Sequence, residues 1–316
     1  MTELIKNFNE LGKDNAAIAG GKGASLGEMA QAGFPVPHGF VLLATAFEQF
    51  LKETDLNVEI NSILHKVNHQ EMHTVEHASE KIQKLILEAK IPEYIVGDIK
   101  NEFAKLNSKY IAVRSSATAE DSSSAAWAGQ LESHLNTTQE TLLQNVQKCW
   151  ASLFTPRAIF YRFEKSLHDT KISVAVVVQK MVQSEVSGIA FSVHPVTEDR
   201  NQVIIEAGYG LGEAIVSGSV TPDNYVVEKE PRRIIDKNIS EQEKMLGENG
   251  VSNDWAMVPY SKRRLQKLPD EKILELVQLI IKIEEHYKSP QDIEWAFTDG
   301  LLYITQSRPI TTLKTN

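Results

Sequence analysis

Asp292-Ile-Glu-Trp-Ala-Phe-Thr298, the turn Asp299-Gly300, and Leu302-Tyr-Ile-Thr-Gln-Ser-Arg308 read as a β-hairpin closing the chain. Asp-Gly between two arms of alternating apolar and polar residues is a strong short-range hairpin signal. Side chains two apart share a strand face, so Asp292 lies beside Glu294 and Gln306 beside Arg308. With Asp299 to Leu301 as the connection, Glu294 stands opposite Gln306 and Asp292 opposite Arg308. A carboxylate next to an amide oxygen suits Mg²⁺, which takes hard oxygen ligands and shares them with phosphates. Arg308 adds a planar fork for a phosphate or carboxylate. The plainer alternative is a solvated face with an ordinary cross-strand ion pair.

Upstream of the hairpin, residues 270–287 are strongly periodic and predict a helix whose Asp270-Glu271 start suits its macrodipole. Residues 229–268 are charged and irregular. Strands are expected at 171–182, 188–193, 202–206 and 224–228, with a glycine loop, Gly208-Tyr-Gly-Leu-Gly212, after the third. One helix is expected over 139–162, and a short strand, Tyr110-Ile-Ala-Val-Arg114, delivers an arginine into a small-residue loop running from Ser115 to Gly129. Residues 46–106 contain a single glycine, Gly97, and apolar positions at helical spacing. They predict a helical insertion. Residues 1–50 alternate short apolar segments with glycine-rich turns, and the whole pattern is that of an α+β protein.

The composition excludes several classes. Of 316 residues, 42% are hydrophobic and 24% charged, ordinary for a globular protein. Basic residues number 33 against 42 acidic, a net charge of −9, which argues against a general nucleic-acid binder. The one cysteine, Cys149, allows no disulfide framework or Cys-based zinc site and suits a reducing cytosol. No apolar run is long enough to span a bilayer, and residues 1–8 show no signal-peptide h-region. The expectation is a cytoplasmic protein with neither nucleic-acid nor membrane partners.

Two phosphate motifs are absent: Gly21-Lys22 is followed by glycine, so this is no P-loop, and the 208–212 loop lacks dinucleotide spacing. Lys22, flanked by glycines, can still neutralise a phosphate that approaches the backbone closely; an exposed turn lysine is the alternative. Arg114 points into hydroxyls and backbone N–H groups of the kind a polyphosphate lid requires, against which stands a simple surface loop. His65, His69, His73 and His77 recur every four residues and could in principle hold a metal, but no carboxylate arrangement fixes such a site, and a solvated helix face explains them better. His194-Pro195 reads as a turn, and Cys149 beside Trp150 as core.

Several of these segments occur in a fixed order: Gly20-Gly-Lys-Gly-Ala-Ser-Leu-Gly-Glu-Met29, Ala112-Val-Arg-Ser-Ser-Ala-Thr-Ala-Glu-Asp121, Ala128-Gly-Gln130, Gly210-Leu-Gly-Glu213, Asp292-Ile-Glu-Trp295 and Gln306-Ser-Arg-Pro309. Over nearly its whole length the chain resembles the N-terminal ATP-binding domain of the phosphoenolpyruvate synthase and pyruvate phosphate dikinase family, a domain that rifampicin phosphotransferase shares. The resemblance implies an ATP-grasp-like fold with ATP and Mg²⁺ in a cleft between two lobes. These are taken as residues 1–183, with the insertion at about 46–106, and residues 184–316, ending in the metal-binding hairpin. It implies that Lys22 and Arg114 contact phosphates and that Gly129 and Ser133 belong to a lid. Gln179 is assigned to the adenine hinge, Glu294 and Gln306 to Mg²⁺ and nucleotide, and Arg308 to the phosphates. Lys22, Arg114 and Arg308 are the catalytic candidates.

In enzymes of this kind the β-phosphate of ATP passes to a histidine on a mobile swivel domain, AMP leaves, and the phosphohistidine donates to pyruvate or to the antibiotic. The implied function is the phosphoryl-donating part of such an enzyme, and the alternative is a non-catalytic nucleotide-binding regulatory module. Two departures stand out. The lid reads Ser122-Ser-Ser-Ala-Ala-Trp127 in place of the family's Leu-Pro and Ser-Phe. No glycine-threonine-rich segment with a transferable histidine and no acceptor domain follow Arg308-Pro309, so both are expected elsewhere, in the same longer chain or a separate subunit.

Overall fold

The chain begins with β1 (Ile5–Asn7), α1 (Ala16–Gln31) and β2 (Gly39–Leu42), followed by helices α2 (Ala44–Glu53), α3 (Leu56–Leu64), α4 (Met72–Glu88) and α5 (Glu93–Leu106). Next come β3 (Ile111–Ala117), the two-residue pieces β4 (Asp121–Ser122) and β5 (Ala125–Ala126), β6 (Ser133–Thr137), α6 (Leu142–Ala151), α7 (Pro156–Glu164) and β7 (Val174–Lys180). This computed structural model describes residues 3–118, 121–122, 125–126, 132–164, 173–247, 253–311 and 313. The chain divides into two units, Met1–Gln31 with His38–Met181, and Ala32–Pro37 with Val182–Asn316.

In the first unit an antiparallel sheet runs in the order β1-β2-β7-β3-β6. β7 is its middle strand and is covered on both faces, which is why its sequence is a β-branched run rather than an alternation. Phe40, Leu42, Val113, Val176 and Val178 join a core with Phe47 and Phe50 of α2, Ile82 of α4 and Trp150 of α6. Phe50 and Trp150 stack with ring centres 4.8 Å apart. Each of these fully buried large side chains contributes roughly 1.5–3 kcal/mol relative to exposure.

α1 packs on β7 and β3. The 20–27 segment, expected as a glycine-rich turn, is instead helical and broken only at Gly20 (φ 69°, ψ 169°). Gly20, Gly23 and Gly27 fall on one helix face. Side chains there would strike Ser116, Val41 and Leu11 respectively. Gly20 and Gly23 therefore let the helix approach the sheet, Gly27 lets it approach the segment that follows β1, and of the three only Gly20 also supplies a positive φ.

The insertion is helical as expected. Its histidines do not share one helix: His65 caps α3, His69 lies in the connector stacked on Phe163, and His73 and His77 are on α4. No group of three or more His, Cys, Asp or Glu placed to hold a metal occurs among the described residues. The single helix expected over 139–162 is two, α6 and α7, separated by a 3₁₀ turn. Pro156 explains the break, since it favours the first turn of a new helix and pushes Thr155 to an extended conformation (ψ 156°). The Thr155 hydroxyl accepts the Ala158 N–H at 3.2 Å. β3 also runs three residues beyond Arg114, because Ser115, Ser116 and Ala117 are small and buried, Ser116 on the α1 face and Ala117 in the core on the other face.

The second unit holds β8 (Val186–Phe191), β9 (Gln202–Tyr209), α8 (Glu213–Val216), β10 (Asp223–Glu228), β11 (Arg233–Asn238), β12 (Lys244–Leu246), β13 (Trp255–Met257), α9 (Asp270–Tyr287), β14 (Gln291–Thr298) and β15 (Leu301–Pro309). Six strands form one antiparallel sheet, β11-β10-β9-β8-β14-β15, and β12 pairs with β13. α9 buries Ile273, Leu276, Val277, Ile280 and Ile283 and spans the residues its periodicity predicted. Segment 229–268, expected as irregular, contains three strands among its described residues. β11 is an edge strand exposed on most of its residues, so it carries no apolar alternation to read.

A fully buried ion pair ties that segment to the sheet, Lys267 Nζ donating to Asp223 Oδ1 at 2.7 Å. Asp223 also accepts from the Tyr225 hydroxyl (2.7 Å), Ser240 N (2.9 Å) and Lys267 N (2.9 Å), which meets the demands of a carboxylate withdrawn from water.

Candidate functional site

In the first unit, Arg114 stands opposite Ser133 on β6 and Val177 on β7. Gln179, buried near the end of β7, stands opposite Ala112. Opposed residues share a face, and so do residues two apart on a strand. Arg114, Ser133, Gln179 and Ser116 therefore line one face, the face on which α1 lies. Ser116 Oγ accepts the Gly23 N–H at 3.3 Å, so it holds the helical turn that restarts after Gly20. Lys22 is in that first turn, where the macrodipole is positive. Helix start, lysine and arginine all favour an anion.

Gly129 lies outside the described residues, as does most of the expected lid, including Ser123, Ser124 and Trp127.

In the second unit the hairpin has the register expected: Glu294 opposite Gln306 and Asp292 opposite Arg308. Asp299 and Gly300, both at positive φ, make a two-residue turn, and the register shifts once between Glu294 and Trp295. That bulge places Thr305 as an extra residue in β15. It re-aims the end of the strand, as bulges do.

Arg308 donates through Nε (2.9 Å) and Nη2 (2.7 Å) to Asp292 Oδ2. The cross-strand ion pair thus exists, and it orients a guanidinium that is still about half exposed, 47%. Gln306 is 7% exposed, and its Oε1 is buried with no hydrogen-bond partner. An unsatisfied buried acceptor costs about 1–3 kcal/mol, so an oxygen left this way beside Glu294 fits a cation or a donor from a ligand. The donor set is hard and suits Mg²⁺.

Two further carboxylates belong to this face. Asp292 is raised above its ordinary value chiefly by burial, with Arg308 opposing and Glu294 adding to the rise. Glu206 of β9, absent from the sequence-based candidates, is likewise raised by burial and then by Asp292. Its strand was expected, but its place beside the hairpin depends on the pairing of three strands, which no local signal reports.

Around the glycine loop, Ser184 and Ser187 donate to the Gly210 carbonyl at 2.9 and 2.6 Å, and a Cβ on Gly210 would lie 2.5 Å from the Leu246 carbonyl oxygen. His194 is in a turn, its Nδ1 accepting the Val196 and Thr197 N–H groups at 3.2 Å each.

Helices and antiparallel sheets make this a mixed α/β protein, with an anion-favouring face in one unit and a hard-oxygen hairpin in the other. Residues 16–316 match the family described as pyruvate phosphate dikinase, AMP/ATP-binding domain, and the chain belongs to that family. It is 45% identical to a probable phosphoenolpyruvate synthase of Methanocaldococcus jannaschii, across 99% of this chain and 27% of that protein. It is 43% identical to a probable phosphoenolpyruvate synthase of Methanothermobacter thermautotrophicus, across 99% and 47% respectively. Rifampicin phosphotransferase of Bacillus subtilis is 36% identical over 99% of this chain and 36% of its own length. The chain thus spans less than half the length of these relatives. Among the described residues no helix is long and apolar enough to cross a membrane.

Proposed function

We propose that this chain is the Mg-ATP-binding, phosphoryl-donating part of a phosphoenolpyruvate-synthase-like phosphotransferase, with its two units as the lobes of an ATP-grasp-like fold. The observation that carries the reading is the buried, unpartnered Oε1 of Gln306 opposite Glu294, in a chain of an AMP/ATP-binding family.

The chain's own residues divide the work. Lys22 and Arg114 neutralise phosphate oxygens, Lys22 as a point charge and Arg114 as a planar fork. Ser133 and Gly129 serve the lid, and Gln179, buried at the end of β7, orients the adenine. Glu294 and Gln306 hold Mg²⁺, which when bound screens the phosphate charge that otherwise repels an incoming nucleophile. Arg308, fixed by Asp292, donates to a phosphate through the exposed part of its fork. Positioning and electrostatics of this kind supply most of what phosphoryl transfer needs.

The β- and γ-phosphates then pass together from AMP to a histidine on a swivel domain outside this chain, water removes the γ-phosphate as orthophosphate, and the remaining β-phosphoryl group goes onward to pyruvate. The synthase relatives support pyruvate, at 43–45% identity against 36% for the rifampicin enzyme. A buried lone cysteine and an acidic charge fit work in the cytoplasm without nucleic acid. Calorimetry of the chain with ATP and Mg²⁺ tests the reading: saturable, Mg²⁺-dependent binding is expected, and a folded chain that binds no ATP overturns it.

A further inference from the structure

Gln242, in the segment between β11 and β12, is 2% exposed and spends its side-chain amide on backbone groups. Its Oε1 accepts the Tyr209 N–H at 2.8 Å, and its Nε2 donates to the carbonyl oxygens of Tyr209 and Lys244 at 3.0 Å each. The reason lies in the sheet. β9 and β10 stop pairing at Ala207 and Asp223, so Tyr209, two residues on and turned to the same side, has no β10 residue opposite. The glutamine amide takes that place, exchanging two bonds with one residue as an opposed peptide does in an antiparallel ladder. Gln242 is itself fixed: its N–H donates to the Arg263 carbonyl at 3.0 Å, and Ser240 N donates to Asp223 of the buried ion pair at 2.9 Å.

The loop after Tyr209 is held to the same degree. The Gly210 N–H donates to the Glu185 carbonyl at 3.1 Å and the Leu211 N–H to the Leu246 carbonyl at 3.0 Å, while the Gly210 carbonyl takes the hydroxyls of Ser184 and Ser187. A glycine loop that cradles phosphate keeps such N–H groups for the anion; here three in succession are spent on the protein. The loop also has a defined place. Gly208 faces Ser187, Ser187 shares a strand face with Ile189, and Ile189 faces Glu294. Ser187 and Glu294 are therefore diagonal neighbours, about 7–8 Å apart. A Cβ on Gly208 would lie 3.3 Å from Gln242 Oε1, so the glutamine stands on this face too.

We infer that Gln242 is a positioning residue for Mg-ATP: it holds the 208–212 loop as a fixed wall beside the Glu294–Gln306 pair, where residues 209–211 contribute shape and not phosphate-binding N–H groups. The inference rests on the Mg-ATP reading, and it gives a task to a residue outside both the hairpin and the loop.

Gln242→Met keeps the volume and removes all three side-chain bonds. Calorimetry of this chain with Mg-ATP and, separately, with AMP in the absence of metal is paired with amide hydrogen exchange followed by NMR. Mg-ATP binding is expected to weaken about tenfold, the scale of one or two lost hydrogen bonds, while AMP binding changes by less than about twofold. Exchange at the Tyr209, Gly210 and Leu211 amides should quicken about tenfold or more, with the β14–β15 amides unchanged. Equal weakening of AMP and Mg-ATP would mark a general structural role, and unchanged Mg-ATP affinity in the folded variant would mark none; either overturns the positioning role. Unchanged exchange overturns the hold on the loop. Should Gln242→Met not fold, Gln242→Glu, which keeps the acceptor and loses the two donors, is read in the same way. If the unaltered chain binds no Mg-ATP, that reading falls and the positioning role with it, whereas the exchange rates still decide whether Gln242 holds the loop.

Discussion

A Cβ added to Gly20 would stand 2.1 Å from the Ser116 hydroxyl oxygen and 2.4 Å from the Ser116 carbonyl oxygen. This contact sets where α1 restarts and hence where Lys22 emerges, and it lies two residues along β3 from Arg114. The positions of the two basic residues are coupled through this backbone packing.

Gly20→Ala should therefore be destabilising by about 3 kcal/mol or more, combining overpacking against backbone with a left-handed conformation an L-residue resists. Chemical denaturation measures the loss. A variant as stable as the unaltered chain would show that the helix restart tolerates a side chain, and the coupling to Ser116 would be void.

Glu294→Gln removes a charge with little change of shape. Mg²⁺-dependent ATP binding is expected to weaken by roughly 1–3 kcal/mol, the scale of a lost charge-assisted contact. Calorimetry at several Mg²⁺ concentrations checks this, and an unchanged Mg²⁺ requirement would make Glu294 a structural residue.

The hairpin shows how a sequence reading and a structure can agree by different routes. A three-residue connection was the assumption that put Glu294 opposite Gln306; the real turn has two residues, and the bulge at Thr305 restores the missing one. α9 was legible because its apolar stripe is long and one-sided. Gly20, Gly23 and Gly27 misled, since glycine signals turns, and its use for close packing of a helix shows only in the i, i+3, i+7 spacing. β11 was invisible because an exposed edge strand has no buried face to write a pattern. Glu206 was missed for a third reason: its neighbours come from β8 and β14, far away in sequence.

Metal-free stability should depend on pH through Glu206. Its folded carboxyl is raised above the ordinary value of 4.5, so the folded state holds the proton more tightly. That contribution to stability is present below about pH 4.5 and is lost as pH rises through the folded value. Glu206→Gln keeps the neutral form at every pH. Its melting temperature should exceed that of the unaltered chain by more at pH 7 than at pH 4, and an equal difference at both would contradict the burial argument.

Lys267→Met leaves Asp223 buried without its cation. Loss of one partner of a buried pair costs about 3–5 kcal/mol, whereas replacing both partners is often near neutral. Lys267→Met should be destabilised on that scale, and Lys267→Met with Asp223→Leu should recover part of the loss, less than all because Tyr225, Ser240 and Lys267 also donate to Asp223. Urea denaturation of the two variants decides: a single variant within 1 kcal/mol or so of the unaltered chain would mean the pair is not what anchors segment 239–268.

The last expectation concerns the chain's own histidines. Phosphoryl transfer needs an acceptor nitrogen in line with the breaking bond, about 3–3.5 Å away, and free to attack. His194 spends Nδ1 on two backbone N–H groups, His134 lies 3.2 Å from Glu132, and His69 is stacked on Phe163. His65, His73 and His77 belong to the α3–α4 region of the insertion, with His73 near Glu71. His38 precedes β2, and His286 packs edge-on against Phe34 and Tyr287 at the end of α9. None of these described histidines is placed as an acceptor, so incubation with β-labelled ATP and Mg²⁺ is expected to leave no acid-labile label on this chain. Adding a histidine-bearing swivel domain from one of the synthase relatives should move label to that domain. Stoichiometric label on this chain alone would identify one of its own histidines as the acceptor and overturn the division of labour proposed above.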